Sequence, residues 1–247
     1  MGNALGIDVS EFQGTIDWKQ AAAAGAEFAF IRAYYGLTKD RQIDANWYNA
    51  GVYKVLRGAY LFLTLYQDPI AQARAFNSFA FHNPGELPPV VDVETERNVS
   101  VPADARDRVW RAVQEVEAGT GKVPMIYTSV YMWSILGTPD SKWAKYPLWI
   151  ADPNHSSNPP VPAPWTTWEF WQTATKADAN WFGIHTTSNL LDHDQWNGVH
   201  WDLLAKYVPD WLPKPPAAEP PAPPPEPTLE ERITRLEEQA KQHGWSL

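Results

Sequence analysis

The chain contains no cysteine, which excludes disulfides, thiolate metal sites and cysteine nucleophiles and leaves either redox compartment open. It also lacks any run of about 18 apolar residues, the minimum for a helix that spans a bilayer. The start, Met1-Gly2-Asn3-Ala4-Leu5-Gly6-Ile7-Asp8, has no basic stretch followed by an apolar one, so no secretory leader is expected. Positive charge is scarce: 20 Lys and Arg stand against 29 Asp and Glu, for a net charge of -9. The basic residues form no dense block, which argues against nucleic acid as a partner, and nothing favours membrane insertion. Histidine is sparse, at six, and no His-x-Glu-x-x-His spacing occurs. The one acidic run that contains a histidine is Asp192-His193-Asp194. Strand alternation puts His193 on the face opposite both acids, which disfavours a three-ligand metal site. No cofactor is implied.

What the chain does have is enough apolar content, 44% of 247 residues, for one main domain of about 200 residues and an appendage. Short β-branched or aromatic runs at 4–9, 28–33, 58–63, 89–94, 124–128, 148–151, 169–172 and 190–192 read as strands. Between them, amphipathic segments at 18–24, 44–53, 70–81 and 103–118 read as helices. The alternation predicts βα units around a largely parallel sheet. Helical patterns thin after about residue 140. The expected α/β fold is therefore an irregular TIM-like (β/α) barrel over 1–212, regular in its first half and mostly β in its second.

At 213–227 nine of the fifteen residues are proline, which predicts an extended, semi-rigid linker of roughly 45 Å at about 3.1 Å per residue. Beyond it, over 228–247, Thr228 and Glu231 form a capping-box pattern at the start of a short helix. Leu229, Ile233, Leu236, Ala240 and His243 then follow the 4, 3, 4, 3 spacing of a coiled-coil seam. The repeat ends at Gly244, which is short for a coiled coil. The pattern fits a frayed amphipathic tail as well as weak self-association or docking to a scaffold.

Two acidic segments carry the chemistry: Gly6-Ile7-Asp8-Val9-Ser10 and Val90-Val91-Asp92-Val93-Glu94. Side chains at i and i+2 leave a strand on one face, so Asp92 and Glu94 point together while Val91 and Val93 pack the other way. Paired carboxyl groups are what glycoside hydrolysis commonly uses, one donating a proton to the leaving oxygen. The 14 Trp and 10 Tyr suit both core filling and stacking on sugar rings.

These two segments, with Phe12-Gln13-Gly14-Thr15-Ile16-Asp17-Trp18, Gly58-Ala59-Tyr60-Leu61-Phe62 and Leu191-Asp192-His193-Asp194-Gln195-Trp196-Asn197-Gly198, resemble the glycoside hydrolase family 25 muramidases in order and spacing. Shorter echoes are Ile126-Tyr127-Thr128-Ser129, Leu148-Trp149-Ile150-Ala151 and Phe170-Trp171-Gln172. The resemblance implies cleavage of the β-1,4 bond between N-acetylmuramic acid and N-acetylglucosamine in peptidoglycan glycan strands. It implies Glu94 as general acid, Asp92 as its assistant and orienter of the substrate acetamido group, and Asp8 and Asp192 as further acids of the cleft. The substrate's own acetamido oxygen would serve as nucleophile. Tyr60, Tyr127, Trp149 and Trp171 match aromatic cleft positions, with Gln13 and Arg32 as weaker candidates for hydrogen bonds to the glycan. The setting implied is a phage or prophage lysin acting on the cell wall.

Two stretches depart from the family pattern. Tyr60-Leu61-Phe62 stands where Tyr-His-Phe is frequent, and Arg32-Ala33-Tyr34-Tyr35-Gly36 where Lys-Ala-Thr-Glu-Gly is common. The second change reshapes one subsite. A rival from another class is an inert glycan-binding or structural module on the same barrel, against which stands the retention of all four acids, since buried acids cost stability. For the tail, sedimentation of the full chain against a truncation ending at Leu212 is the test. Self-association predicts a heavier species only with the tail present, and identical monomer masses dismiss it.

Overall fold

The computed structural model describes residues 2–96, 99–137, 140–154, 157–182, 184, 190–212 and 238, with backbone only at 175–178, 181 and 190. Chain contacts divide it into Met1–Leu212 and Pro213–Leu247. Except for the helical, exposed Glu238, the expected linker at 213–227 and helix at 228–247 lie outside the described residues. Within the described residues no helix is long and apolar enough to cross a membrane.

Strand β1 (Leu5–Val9) pairs in parallel with β2 (Phe28–Tyr35) and antiparallel with β9 (Leu190–Trp196). Between these neighbours run β4 (Leu56–Phe62), β5 (Val90–Asp92), β6 (Met125–Thr128), β7 (Leu148–Ala151) and β8 (Phe170–Asp178). The sheet order β1-β9-β8-β7-β6-β5-β4-β2, with β1 also on β2, closes a barrel. All of its strands are parallel except β9. The two-residue β3 (Thr38–Lys39) hairpins onto β2 outside the ring.

Helices α1 (Trp18–Ala23), α2 (Ile43–Val52), α3 (Pro69–Ala80) and α4 (Ala105–Thr120) follow β1, β3, β4 and β5. Their local signals are those of the sequence: Asp17 caps α1 by accepting from the Gln20 N–H, and Gly25 takes φ 104° just past its end. The second half is less regular, with short α5 (Val130–Ile135) after β6 and α6 (His200–Tyr207) after β9. Neither short helix is expected from the sequence periodicity.

Alternation along each strand sorts the side chains into two cores. Ile7, Ile31, Leu61, Val91, Val93, Ile126 and Ile150 point outward and join Trp18, Phe76, Val109 and Val113 of the helices. Phe28, Phe30, Leu56, Val90, Met125, Trp149 and Phe170 point inward, where Leu203 and Leu204 of α6 join them. The inner rings pack edge-on or stacked: Phe30 lies 4.2 Å from Trp149 and 5.0 Å from Phe170, and Phe28 also 5.0 Å from Phe170. Each fully buried ring of this kind contributes roughly 1.5–3 kcal/mol.

The rings fit because their neighbours lack side chains. A Cβ on inward-facing Gly6 would stand 2.3 Å from the Phe28 ring, and one on Gly58 2.6 Å from Phe30. Leu61, the residue replacing a frequent histidine, belongs to the outer core and never faces the barrel interior.

Several elements differ in extent from expectation. β5 ends at Asp92, although the Val93 N–H still donates to the Tyr127 carbonyl at 2.9 Å. β2 continues to Tyr35 through a register shift between Arg32 and Tyr34. β9 runs beyond the expected end at 192 to Trp196, held as strand through its polar stretch by pairing with β1 and β8.

A methyl group at position 6 must displace the Phe28 ring, and such overpacking costs typically 1–3 kcal/mol. Gly6→Ala is therefore expected to lower the urea midpoint by that equivalent, while Gly2→Ala, with nothing within 4 Å, leaves it unchanged. Coincident midpoints for Gly6→Ala and wild type would contradict this packing.

Candidate active site

At the carboxyl ends of the parallel strands, the inward positions change from aromatic to polar. One step above Phe28, Phe30, Val90, Met125 and Phe170 stand Asp8, Arg32, Asp92, Tyr127 and Gln172, and β9 adds Asp192 from the opposite direction. They surround a cavity of about 230 Å3, also lined by Tyr60, Trp149 and Glu94 and rimmed by Ser10, Phe12, Gln13, Tyr35 and Phe62. A larger groove of about 780 Å3 lies beside His200 and Trp211, but it gathers no comparable set of acids.

A hydrogen-bonded chain crosses the cavity floor. The Tyr127 hydroxyl donates to Gln172 Oε1 at 2.9 Å, and Gln172 Nε2 donates to Asp8 Oδ2 at 2.7 Å. Beside it, Trp149 Nε1 donates to Asp194 Oδ1 at 2.8 Å, and the Asp8 and Asp194 carboxyl groups are themselves in hydrogen-bond contact. Asp8 and Asp192 sit directly opposite each other in the antiparallel pair. Asp92 Oδ1 is buried with no hydrogen-bond partner among the described residues.

The cation nearest these acids is already engaged. Arg32 Nε donates to Asp40 Oδ2 at 2.8 Å, its guanidinium lies 3.5 Å from Glu11, and the rings of Phe12 and Tyr35 cover it at 5.0 and 5.7 Å.

Burial dominates the electrostatics. It pushes Glu94 up to about 7, with the charge of Asp192 adding to it, and Asp192 up to about 8, helped by Asp8. Burial raises Asp8 to about 6, against hydrogen bonds from Gln172 and Asp194 that lower it and with the charge of Glu94 adding to the rise. Asp92 is raised well above the carboxylate range by burial and by Glu94 and Asp8, with Arg32 acting against them. A cluster of this kind ionises in steps and holds protons near neutrality, the condition for a carboxyl group to act as an acid.

The family profile described as Glycosyl hydrolases family 25 matches residues 7–180, from the first strand through β8. The chain belongs to glycosyl hydrolase family 25. It is 31% identical to "Lysozyme M1" of Streptomyces globisporus over 215 residues, 81% of this chain and 70% of that protein. It is also 31% identical to the "N,O-diacetylmuramidase" of Arthroderma benhamiae over 183 residues, 70% of this chain and 77% of that one. Among solved structures, the bacterial lysozyme from Streptomyces coelicolor superposes with a TM-score of 0.72 at 30% identity, covering 84% of this chain and 98% of that one.

Within this family 25 barrel, nine of the ten residues singled out by sequence share the cavity: Asp8, Gln13, Arg32, Tyr60, Asp92, Glu94, Tyr127, Trp149 and Asp192. Trp171 does not. It points to the outer core, with its Nε1 donating to the Asp152 carbonyl at 2.9 Å and its ring edge-on to Trp168. The cause is alternation: Phe170 and Gln172 take the inward positions on β8, so the residue between them faces out. Trp149 lies in the cavity floor at 2% exposure, flat against Phe30, and so braces Asp194 instead of offering its face to a sugar. Gln13 accepts from the Ser10 N–H at 2.8 Å through Oε1, capping the turn after β1.

Sequence reasoning missed Gln172, Phe12 and Phe62 as cavity residues and Asp194 beneath the cavity. Phe12 is 75% exposed, and Tyr35 stacks on Phe62 at 4.6 Å while its hydroxyl donates to Glu96. The parity of β8 would have exchanged Trp171 for Gln172 once the inward face was known.

Asp8, Glu94 and Asp192 all hold their protons to higher pH in the fold, about 6, 7 and 8, than their ordinary values of 3.8, 4.5 and 3.8. The folded state thus binds more protons than the unfolded one across this interval, and stability falls as pH rises. Urea midpoints are expected to decline from about pH 4 to about pH 8, less steeply in Glu94→Gln and Asp192→Asn. A wild-type midpoint that climbs over this range would refute a protonated cluster.

Proposed function

We propose that this chain is an N-acetylmuramidase that cleaves the β-1,4 bond between N-acetylmuramic acid and N-acetylglucosamine in peptidoglycan, with Glu94 as general acid. The observation that carries the reading is Glu94 itself, raised to about 7 in an acid-lined cavity at the carboxyl ends of barrel strands. The names of the lysozyme and diacetylmuramidase relatives support the substrate class.

In this scheme the proton of Glu94 passes to the glycosidic oxygen, which also takes the electron pair of the breaking C1–O bond. Positive charge then develops at the anomeric carbon. Asp8, at about 6 below Glu94 and Asp192, faces it as a carboxylate. The partnerless Asp92 Oδ1 accepts from the acetamido N–H of the substrate, turning the acetamido oxygen toward C1. That oxygen bonds to C1 to give a cyclic intermediate, and water then attacks C1, breaking the new C1–O bond and passing its proton to Glu94, which is restored as the acid. The exposed Phe12 ring and the Tyr35–Phe62 stack present apolar faces to flanking sugars.

Release of reducing muramic acid ends from purified peptidoglycan tests the assignment. Glu94→Gln should lose roughly 10²–10⁴-fold in kcat, the usual worth of a general acid, and Asp92→Asn should also lose kcat. Wild-type activity should fall as pH rises through about 7. Equal release by all three proteins would overturn the roles, and no release by any of them would leave the inert-module reading standing.

A further inference from the structure

Asp194 is a buried acid that the mechanism above leaves unused. It is 1% exposed and faces the barrel interior one step below Asp192 on β9. Its Oδ1 accepts from Trp149 Nε1 at 2.8 Å, whereas Oδ2 is buried with no conventional donor. Its carboxyl group is nonetheless in hydrogen-bond contact with that of Asp8. Two carboxyl groups in contact need a proton between them, because neither ionised form can donate.

The partners decide which group keeps it. Asp8 already accepts from Gln172 Nε2 at 2.7 Å, and Gln172 is locked in that orientation by the Tyr127 hydroxyl at its Oε1. Asp8 lines the cavity where substrate charge would develop, and Asp194 lies beneath it. A protonated Asp194 satisfies both of its oxygens, the carbonyl oxygen accepting from Trp149 and the hydroxyl donating to Asp8.

We propose that Asp194 is a positioning residue that retains its proton, donates it in a hydrogen bond to Asp8, and thereby holds Asp8 as a fixed, ionised carboxylate toward the sugar. The inference rests on the muramidase reading for its assay. The titratable groups facing Asp194 are Asp8 from β1 and Asp192 from its own strand, both acids that favour a neutral Asp194. β7 and β8 present Trp149 and Gln172, which do not titrate, and position 6, opposite Asp194 on β1, is glycine. His193 points to the other face, edge-on to Phe182 at 4.9 Å.

The test compares Asp194→Leu with Asp194→Asn on purified peptidoglycan. Leucine removes the donor, so Asp8 should ionise at higher pH. The acid limb of the pH–rate profile should move up, and kcat should fall on the order of 10²-fold, the scale of a misplaced reacting group, with KM little changed. Asparagine supplies a permanent N–H donor and should recover most of that kcat and return the acid limb to its wild-type position. A merely structural role would change the folded fraction without moving the limb. Unmoved acid limbs in both variants, or asparagine as impaired as leucine, would overturn the proposal. Infrared spectroscopy provides a second readout if Asp194→Leu does not fold. The wild-type minus Asp194→Asn difference spectrum near pH 7 should contain one protonated-carboxyl carbonyl band, over and above those that Glu94, Asp92 and Asp192 leave in both proteins, and a difference spectrum without it would reject Asp194 as the proton holder. Absence of turnover in wild type would instead count against the muramidase reading, and the infrared outcome would still stand on its own.

Discussion

Strand β1 is hydrogen-bonded on both sides, in parallel to β2 and antiparallel to β9, and the rest of the molecule depends on that closure. Once the sheet is a ring, each strand has one face inside and one outside, and a side chain's parity decides its fate. The outward face builds the interface with α1 to α4, and the inward face must fill a tube. Bulky rings fill its lower part only because Gly6 and Gly58 leave space for Phe28 and Phe30. The polar side chains above them are thereby concentrated at the mouth, where strands of both directions deliver Asp8 and Asp192 face to face.

That concentration creates an electrostatic problem which also serves as the chemical device. Two like charges about 4 Å apart repel by roughly 4 kcal/mol in surroundings of effective dielectric about 20, and the cluster here includes Asp8, Asp92, Glu94, Asp192 and Asp194. Arg32 opposes the rise of Asp92, yet it is also bound to Asp40 and Glu11. The cluster relieves repulsion by keeping protons. Hydrogen bonding then differentiates the members: Asp8, with Gln172 and Asp194 as partners, ionises more readily than Glu94 and Asp192.

Much of this was legible in the sequence. Strand–helix alternation announced the barrel, and the acids at the ends of apolar runs announced the mouth, because a strand with one face packed leaves little choice about where its i+2 partner goes. The chemistry of Asp92 and Glu94 could be read this way even though the regular strand stops at Asp92. What failed was anything that required knowing which parity faces in. Phe170-Trp171-Gln172 offers two aromatics and a glutamine, and hydrophobicity alone favours tryptophan as the stacking residue. Only the closed ring reveals that Phe170 and Gln172 share the inner face. Strand alternation already set Asp194 on one face with Asp192 and opposite His193, but that this face is the inner one follows only from the pairing with β1 and β8. The exposed Phe12 sits in a single 3-10 turn capped by Ser10 and Gln13, where no periodicity exists to mark it.

The stacked floor of Phe30, Trp149 and Phe170 closes the acid-lined cavity from below, so that Asp8, Asp92, Glu94 and Asp192 meet solvent at its mouth. Below it the barrel continues as apolar Phe28 and Leu56 and is joined by Leu203 and Leu204 of α6. Proton exchange of these four acids with bulk water therefore runs through that mouth, the one that the proposed function assigns to the glycan. On that reading a seated sugar would close the mouth, and the number of protons shared among the carboxyl groups would be set when the substrate arrives. From then until product departs the cluster would be a closed reservoir, and the acid step would draw on protons taken up before binding.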